Sequence, residues 1–169
     1  MPIDIDTLRK YRNPVFVETG TFMGMTVQKA LDVGFERVIS IEIDDKLHQD
    51  AVAKFADEPR VTLLHGDTLS HLPGILAQLD TPATFWLDAH RSGPLTGGVV
   101  PYPVLGELQL IAAHPIKTHT ILIDDRRLIP TEWQMNELDV HAALRRINPD
   151  YQIAYAPGIV PDDIIVAAA

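Results

Sequence analysis

Short apolar, β-branched runs alternate along the chain with stretches whose apolar residues recur at helical spacing. Val15 to Glu18 reads as a buried strand, followed by a turn holding Gly20 and Gly24 and a predicted helix over Thr26 to Val33 that Gly34 stops. Arg37 to Ile43 is the second predicted strand. Asp44-Asp45 can cap a helix over Lys46 to Ala56, closed by Pro59. Val61 to His65 is the third strand, and Thr68 or Ser70 can cap a helix reaching Leu79. Thr84 to Leu87 is the fourth strand. A long loop, His90 to Tyr102, carries Gly93, Gly97, Gly98, Pro94 and Pro101, and its length and glycines predict a segment that moves in the absence of ligand. Pro103 to Ala113 reads as a helix with proline in its first turn. Thr118 to Ile123 is the fifth strand and Glu132 to Ile147 a helix. Tyr151 to Tyr155 and Ile164 to Ala168 are two more strands, and the short link Pro157 to Asp162 suits an antiparallel pair.

Five strand–helix units in succession predict a parallel sheet covered on both faces, an α/β fold. The near-continuous apolar strands agree, because strands buried on both sides lose the alternation of a half-exposed sheet. The 169 residues suffice for one domain, spanning 1–169, and no linker or repeat divides it. The net charge of −9 and pI near 5.1 argue against a nucleic-acid or anionic-membrane partner, which needs a basic face. The chain has no cysteine, so it has no disulfide framework, thiolate nucleophile or cysteine metal site; a reducing cytoplasm is the expected location. Met1 to Tyr11 carries Asp4, Asp6, Arg9 and Lys10 and is not expected to be a signal peptide. No apolar run approaches the roughly 18 residues that span a bilayer.

In open α/β sheets ligands bind beyond the carboxyl ends of the strands. Those ends carry Glu18, Gly20, Thr21 and Gly24 after the first strand, Glu42 after the second, and Gly66 and Asp67 after the third. Asp88, His90 and Arg91 follow the fourth, and Asp124 and Asp125 the fifth. Carboxylates crowded on one rim repel, and ligand hydroxyls, a ligand cation or a metal would relieve that. Gly20 and Gly24 permit close backbone approach in a G-x-x-x-G spacing, unlike the G-x-G-x-x-G that binds a pyrophosphate. Glu18 suits a ligand bearing ammonium or sulfonium. Glu42, 24 residues after Glu18, can accept both hydroxyls of a ribose. A tight turn with an incidental acid is the plainer alternative.

The run E-T-G-T-F-M-G-M-T resembles the E-x-G-T-x-x-G-x-S/T motif of cation-dependent O-methyltransferases of the catechol and caffeoyl-CoA type, within the class I S-adenosylmethionine-dependent methyltransferases. The element order agrees from Val15 to Ala169. The resemblance implies a three-layer Rossmann-like fold with a seven-stranded sheet, six strands parallel and one antiparallel. It implies that Glu18, Gly20, Thr21 and Gly24 cradle the methionine part of S-adenosylmethionine, that Glu42 holds the ribose, and that Gly66 and Asp67 contact the adenine. Asp88 is expected among the cofactor-binding residues as well.

The second constellation is F-W-L-D-A-H-R with I-L-I-D-D-R. Asp88, Asp124 and Asp125 end neighbouring strands spaced about 4.8 Å apart, and could converge on a hard cation, Mg²⁺ by preference. Alternatively, Asp124 and Asp125 only cap a turn or pair with Arg126 and Arg127. The resembling enzymes carry Asp at the positions of Asp88 and Asp124 and usually Asn at that of Asp125. They carry a lysine base at the position of Arg91. Arginine stays protonated, which leaves His90 as base, metal ligand or surface residue, and Arg91 as a partner of substrate or rim carboxylate. Asp88 joins them in the catalytic set. His65, His71, His114, His119 and His141 read as structural, Trp86 as core, and Trp133 as a wall of the site or a residue of the helix start. Glu107, on the helix after the long loop, can reach the site, though a solvated helix face is the expected reading. The family usually has helices before the first motif that cover the substrate. Fourteen residues precede Val15, so an open site is expected, closed by the His90–Tyr102 loop or by a second subunit in a homodimer.

These readings predict a methyltransferase acting on a small-molecule hydroxyl with S-adenosylmethionine and a divalent metal. A non-catalytic ligand-binding module of the same fold and a nicotinamide-dependent oxidoreductase are the rivals.

Overall fold

A computed structural model describes residues 3–89 and 100–169. The expected site residues His90 and Arg91, and most of the 90–102 loop, lie outside the described residues.

The described elements run α1 (Ile5–Lys10), β1 (Val15–Thr19), α2 (Met25–Val33), β2 (Arg37–Glu42), α3 (Asp45–Lys54), β3 (Val61–His65) and α4 (Thr68–Leu76). They continue through β4 (Ala83–Leu87), α5 (Val104–Ala113), β5 (Thr120–Ile123), α6 (Glu137–Ile147), β6 (Gln152–Ala156) and β7 (Ile164–Ala168). The sheet has seven strands in the order β3-β2-β1-β4-β5-β7-β6. β1 to β5 pair in parallel, and β7 runs antiparallel to both β5 and β6, so six strands point one way and β7 the other. This is the seven-stranded sheet, six strands parallel and one antiparallel, that the resemblance implies.

Alternate side chains of each central strand feed two cores. Val17, Phe85, Leu87, Ile121 and Ile123 face α4, α5 and α6 through Leu72, Leu108 and Leu144. Phe16, Trp86, Leu122 and Val166 face α1 and α2 through Leu8, Val27 and Leu31. Strands β1, β4 and β5 are buried at every position, which explains their unbroken apolar sequence. The edge strands β3 and β6 are partly exposed. Order reverses at β1, which pairs with β2 on one side and β4 on the other. A crevice opens beyond strand ends at such a switch point.

Several boundaries differ from the sequence reading for local reasons. α1 was not foreseen; Asp4 caps it by accepting from Thr7 N at 2.8 Å, and it packs on α2. α4 is capped by Asp67 rather than Thr68 or Ser70, because the Asp67 carboxylate accepts from the amides of Leu69 and Ser70. α6 begins at Glu137, not Glu132, because Asn136 accepts from Leu138 N and a single 3-10 turn (Arg126–Leu128) occupies the chain after β5. No helix among the described residues is long and apolar enough to cross a membrane.

Candidate functional site

The turn after β1 is drawn tightly over the sheet. Gly20 N and Thr21 N both donate to Ile41 O, at 2.9 and 3.1 Å. Gly20 has φ +91°, and a Cβ there would lie 2.8 Å from Asp88 O, so only glycine lets the β1 and β4 ends meet this closely. Gly24, at φ +66°, starts α2 against the ring of Phe55.

Glu18 pairs in register with Ser40 of β2, and Ser40 Oγ donates to Glu18 Oε2 at 2.5 Å. Thr21 Oγ1 lies 2.6 Å from Ser40 Oγ, so a hydroxyl relay runs from the turn to the acid. Glu18 is 1% exposed, and burial pushes its carboxyl up to about 8, with the charge of Asp88 adding to the rise and Ser40 opposing it. At the end of β2, Glu42 is also buried. Its Oε2 accepts from Phe22 N at 2.7 Å and its Oε1 from Asp44 N at 2.9 Å. Each oxygen keeps a lone pair for a further donor. Gly66 follows β3 with φ +140°, where a Cβ would lie 2.8 Å from His71 Nε2.

At the end of β4, Asp88 N donates to Thr19 O at 3.1 Å, which ties β4 to β1. Beyond β5, the ligand atoms of Asp124, Asp125 and Asp163 lie within 4.8 Å of one another, and all three residues are buried. Asp124 Oδ1 has no hydrogen-bond partner among the described residues. Burial, then the charges of Asp88 and Asp125, push the Asp124 carboxyl up to about 8. Asp125 sits at φ +56° and pairs with Arg127 at 2.5 Å; Arg127 also pairs with Asp163. The structure therefore brings Asp124 and Asp125 together with an acid the sequence reading missed, and it contains the Asp125–Arg127 pair as well. Asp88 is near enough to act on Asp124 electrostatically but is not in the group of mutually close ligand atoms.

Glu107 corrects an expectation. It is 1% exposed instead of solvated, and it lines a small cleft with Asp88, Ala89, Tyr102, Val104 and Trp133. Burial pushes its carboxyl up to about 7, the Thr68 and Thr19 hydroxyls oppose this, and Asp67 and Asp88 add to it. Trp133 is buried, stacks on Tyr102 with ring centroids 5.8 Å apart, and walls the cleft. Trp86 is wholly in the core. The signal for Glu107 was present: Val104, Glu107, Leu108 and Ile111 follow the i, i+3, i+4, i+7 pattern of one buried face.

No family model matches the chain, and no curated protein matches it by sequence. By fold it is similar to an O-methyltransferase of Bacillus cereus solved with S-adenosylhomocysteine, at 16% identity and TM-score 0.64, over 98% of this chain and 78% of that one. An O-methyltransferase of Streptomyces achromogenes involved in tomaymycin synthesis, solved with S-adenosylmethionine, matches at 14% identity and TM-score 0.63, over 98% and 77%. A candidate rRNA-methylase of Clostridium thermocellum matches at 16% identity and TM-score 0.67, over 99% of both chains. At these identities the likeness is one of architecture, and the chain has the fold of the class I S-adenosylmethionine-dependent methyltransferases.

Proposed function

We propose that this chain is an S-adenosylmethionine-dependent methyltransferase that methylates a small-molecule hydroxyl, with a divalent metal, Mg²⁺, assisting. The observation that carries the reading is the turn at the switch point: Gly20 leaves no room for a side chain, and the buried acids Glu18 and Glu42 end the two strands beside it. The cradle fits the cofactor. Glu18 would face the ammonium of the methionine part, with Thr21 and Ser40 relaying to it. Glu42 can accept the ribose hydroxyls while its backbone bonds hold it in place. Gly66 and Asp67 would border the adenine end.

The acid group beyond β5 fits a hard cation through the buried, unpartnered Asp124 Oδ1. Asp88, Asp124 and Asp125 would hold it, with Asp163 as an added acid, although Arg127 already neutralises part of the charge on Asp125 and Asp163. When bound, the cofactor supplies an electrophilic methyl group, and the metal lowers the pKa of an acceptor hydroxyl. The chain's own residues align the acceptor and take its proton. His90 is the proposed base and Arg91 a proposed partner of the substrate, with Asp88 the third member of the proposed catalytic set.

The oxygen acceptor rests on the motif resemblance and on the two fold neighbours described as O-methyltransferases. The match to the rRNA-methylase candidate over 99% of both chains favours a second reading, a nucleic-acid acceptor. The net charge of −9 counts against that. Retention of an RNA oligonucleotide at low salt, lost as salt rises, would support it.

Calorimetry with S-adenosylhomocysteine tests the main reading. Binding is expected, and Glu42→Ala should weaken it by about 1.5–3 kcal/mol, the worth of hydrogen bonds to a charged group. Absence of heat and of any thermal shift with millimolar ligand would overturn it.

A further inference from the structure

We infer that Glu107 is a substrate-recognition residue: in the cleft walled by Tyr102 and Trp133, its carboxylate takes an amine or ammonium group carried by the methyl acceptor. Its place in methyl transfer rests on the function proposed above, but its binding does not.

The first observation is an unmet hydrogen-bonding group. Glu107 Oε1 is buried and meets no described residue in hydrogen-bond geometry, although the Thr68 and Thr19 hydroxyls stand near the carboxyl. A buried carboxyl left so costs free energy that packing alone does not return. Nothing in the core needs an acid there: Val104, Leu108 and Ile111 share its helix face and are apolar. Gly106 beside it is pressed against Leu69, its would-be Cβ 3.0 Å from Leu69 Cδ2, which docks α5 onto α4 and sets where Glu107 stands.

The second observation is the character of the cleft. Glu107 and Asp88 both line it, and no lysine or arginine is among the described residues that do. Asp67 and Asp88 are near enough to act on Glu107 as like charges. A neutral hydroxyl would satisfy Oε1 but leave that repulsion in place. A cationic donor would answer both. The Tyr102–Trp133 stack, its rings inclined by 25°, gives a flat apolar wall on which an aromatic or aliphatic body can lie, and aromatic faces also attract cations. The geometry selects a small apolar group bearing an amine, held between the wall and the acid.

The test uses benzylamine and benzyl alcohol, which share a body and differ in the donor. Binding of each to the full chain is followed by calorimetry near pH 8, with and without saturating S-adenosylhomocysteine. Benzylamine should bind about tenfold or more tightly than the alcohol, as expected for a hydrogen bond to a charged group. Glu107→Gln keeps the shape, should keep or raise Tm, and should cut the preference below about threefold. Glu107→Leu should abolish it. Equal affinity for the two probes, no heat from either, or a preference that survives Glu107→Gln would overturn the inference. If the amine preference holds while S-adenosylhomocysteine fails to bind, the methyltransferase reading falls and the Glu107 site stands.

Discussion

The two ends of the sheet bury polar groups in opposite ways. At the amino ends of β4 and β5, buried polar groups are closed into a network. His119 Nδ1 accepts from Ala83 N at 3.0 Å, which leaves its Nε2 protonated to donate to His114 Nδ1 at 3.0 Å. Tyr151 OH donates to His119 O at 2.6 Å, and Asn13 Nδ2 donates to the hydroxyls of Thr84 and Thr120. At the carboxyl ends, Glu107 Oε1 and Asp124 Oδ1 are buried without a hydrogen-bond partner in good geometry among the described residues. One end is finished by the chain itself, and the other carries interactions that a ligand can complete. The difference separates polar residues that hold the fold from polar residues that wait on chemistry.

The largest expected effect breaks the carboxyl end sterically. Gly20→Ala puts a Cβ 2.8 Å from Asp88 O at a φ that side chains rarely adopt. Stability measured by urea unfolding should fall by about 2–4 kcal/mol, and S-adenosylhomocysteine binding should vanish. A loss under about 0.5 kcal/mol would show that the turn is not tight.

His119→Ala breaks the closed end. It strands the Ala83 amide and opens space beside Phe85, which meets the imidazole edge-on at 5.1 Å. A loss of about 2–3 kcal/mol is expected, with cofactor affinity unchanged, because the change lies at the far end of the strands.

The pH dependence sharpens the comparison, because the two ends should respond with opposite sign. Burial, then the charges of His114 and Lys117, push His119 down to about 4. Its folded pKa lies below its unfolded value, so its stabilisation is present at neutral pH and is lost as pH falls from about 6.5 toward 4. Glu18 and Asp124 at about 8 and Glu107 at about 7 have raised pKa values when folded. Their contribution is present at acid pH and is lost as pH rises from their unfolded values of 3.8 and 4.5 toward those values. In the ligand-free protein, Asp124→Asn or Glu18→Gln should raise stability near pH 8 by about 1–2 kcal/mol and flatten the alkaline decline of Tm. A decline unaltered in both variants would contradict this account of the rim.

The smallest effect concerns the metal. Millimolar Mg²⁺ near pH 8 should raise stability by about 1 kcal/mol through binding to the folded state alone, and Asp124→Asn should remove the gain. Equal Tm with and without the ion in the unmodified chain would argue that Arg127 is the only counter-charge the acid group uses.

The cofactor half of this rim was legible in the sequence because its residues stand at strand ends, where apolar runs stop and glycines follow. Gly20 and Gly24 both take positive φ, and Glu18 and Glu42 both end buried. Asp163 was hidden by topology. β7 runs antiparallel, with Ile165 opposite Ile123, so the residue before β7 arrives beside the end of β5. No spacing along the chain announces that neighbour. Glu107 was hidden by convention: an acid on a helix is ordinarily solvated, and only its place among Val104, Leu108 and Ile111 marked it as buried. α1 was missed because six residues with one buried apolar side chain, Leu8, show no periodicity.

The most direct test of the central claim is a crystal structure grown with S-adenosylhomocysteine and millimolar Mg²⁺. The account predicts the ligand across the ends of β1 and β2, its backbone against Gly20 and its ribose hydroxyls on Glu42. Ligand bound elsewhere, or a Glu42 carboxylate that keeps only the amides of Phe22 and Asp44, would contradict it.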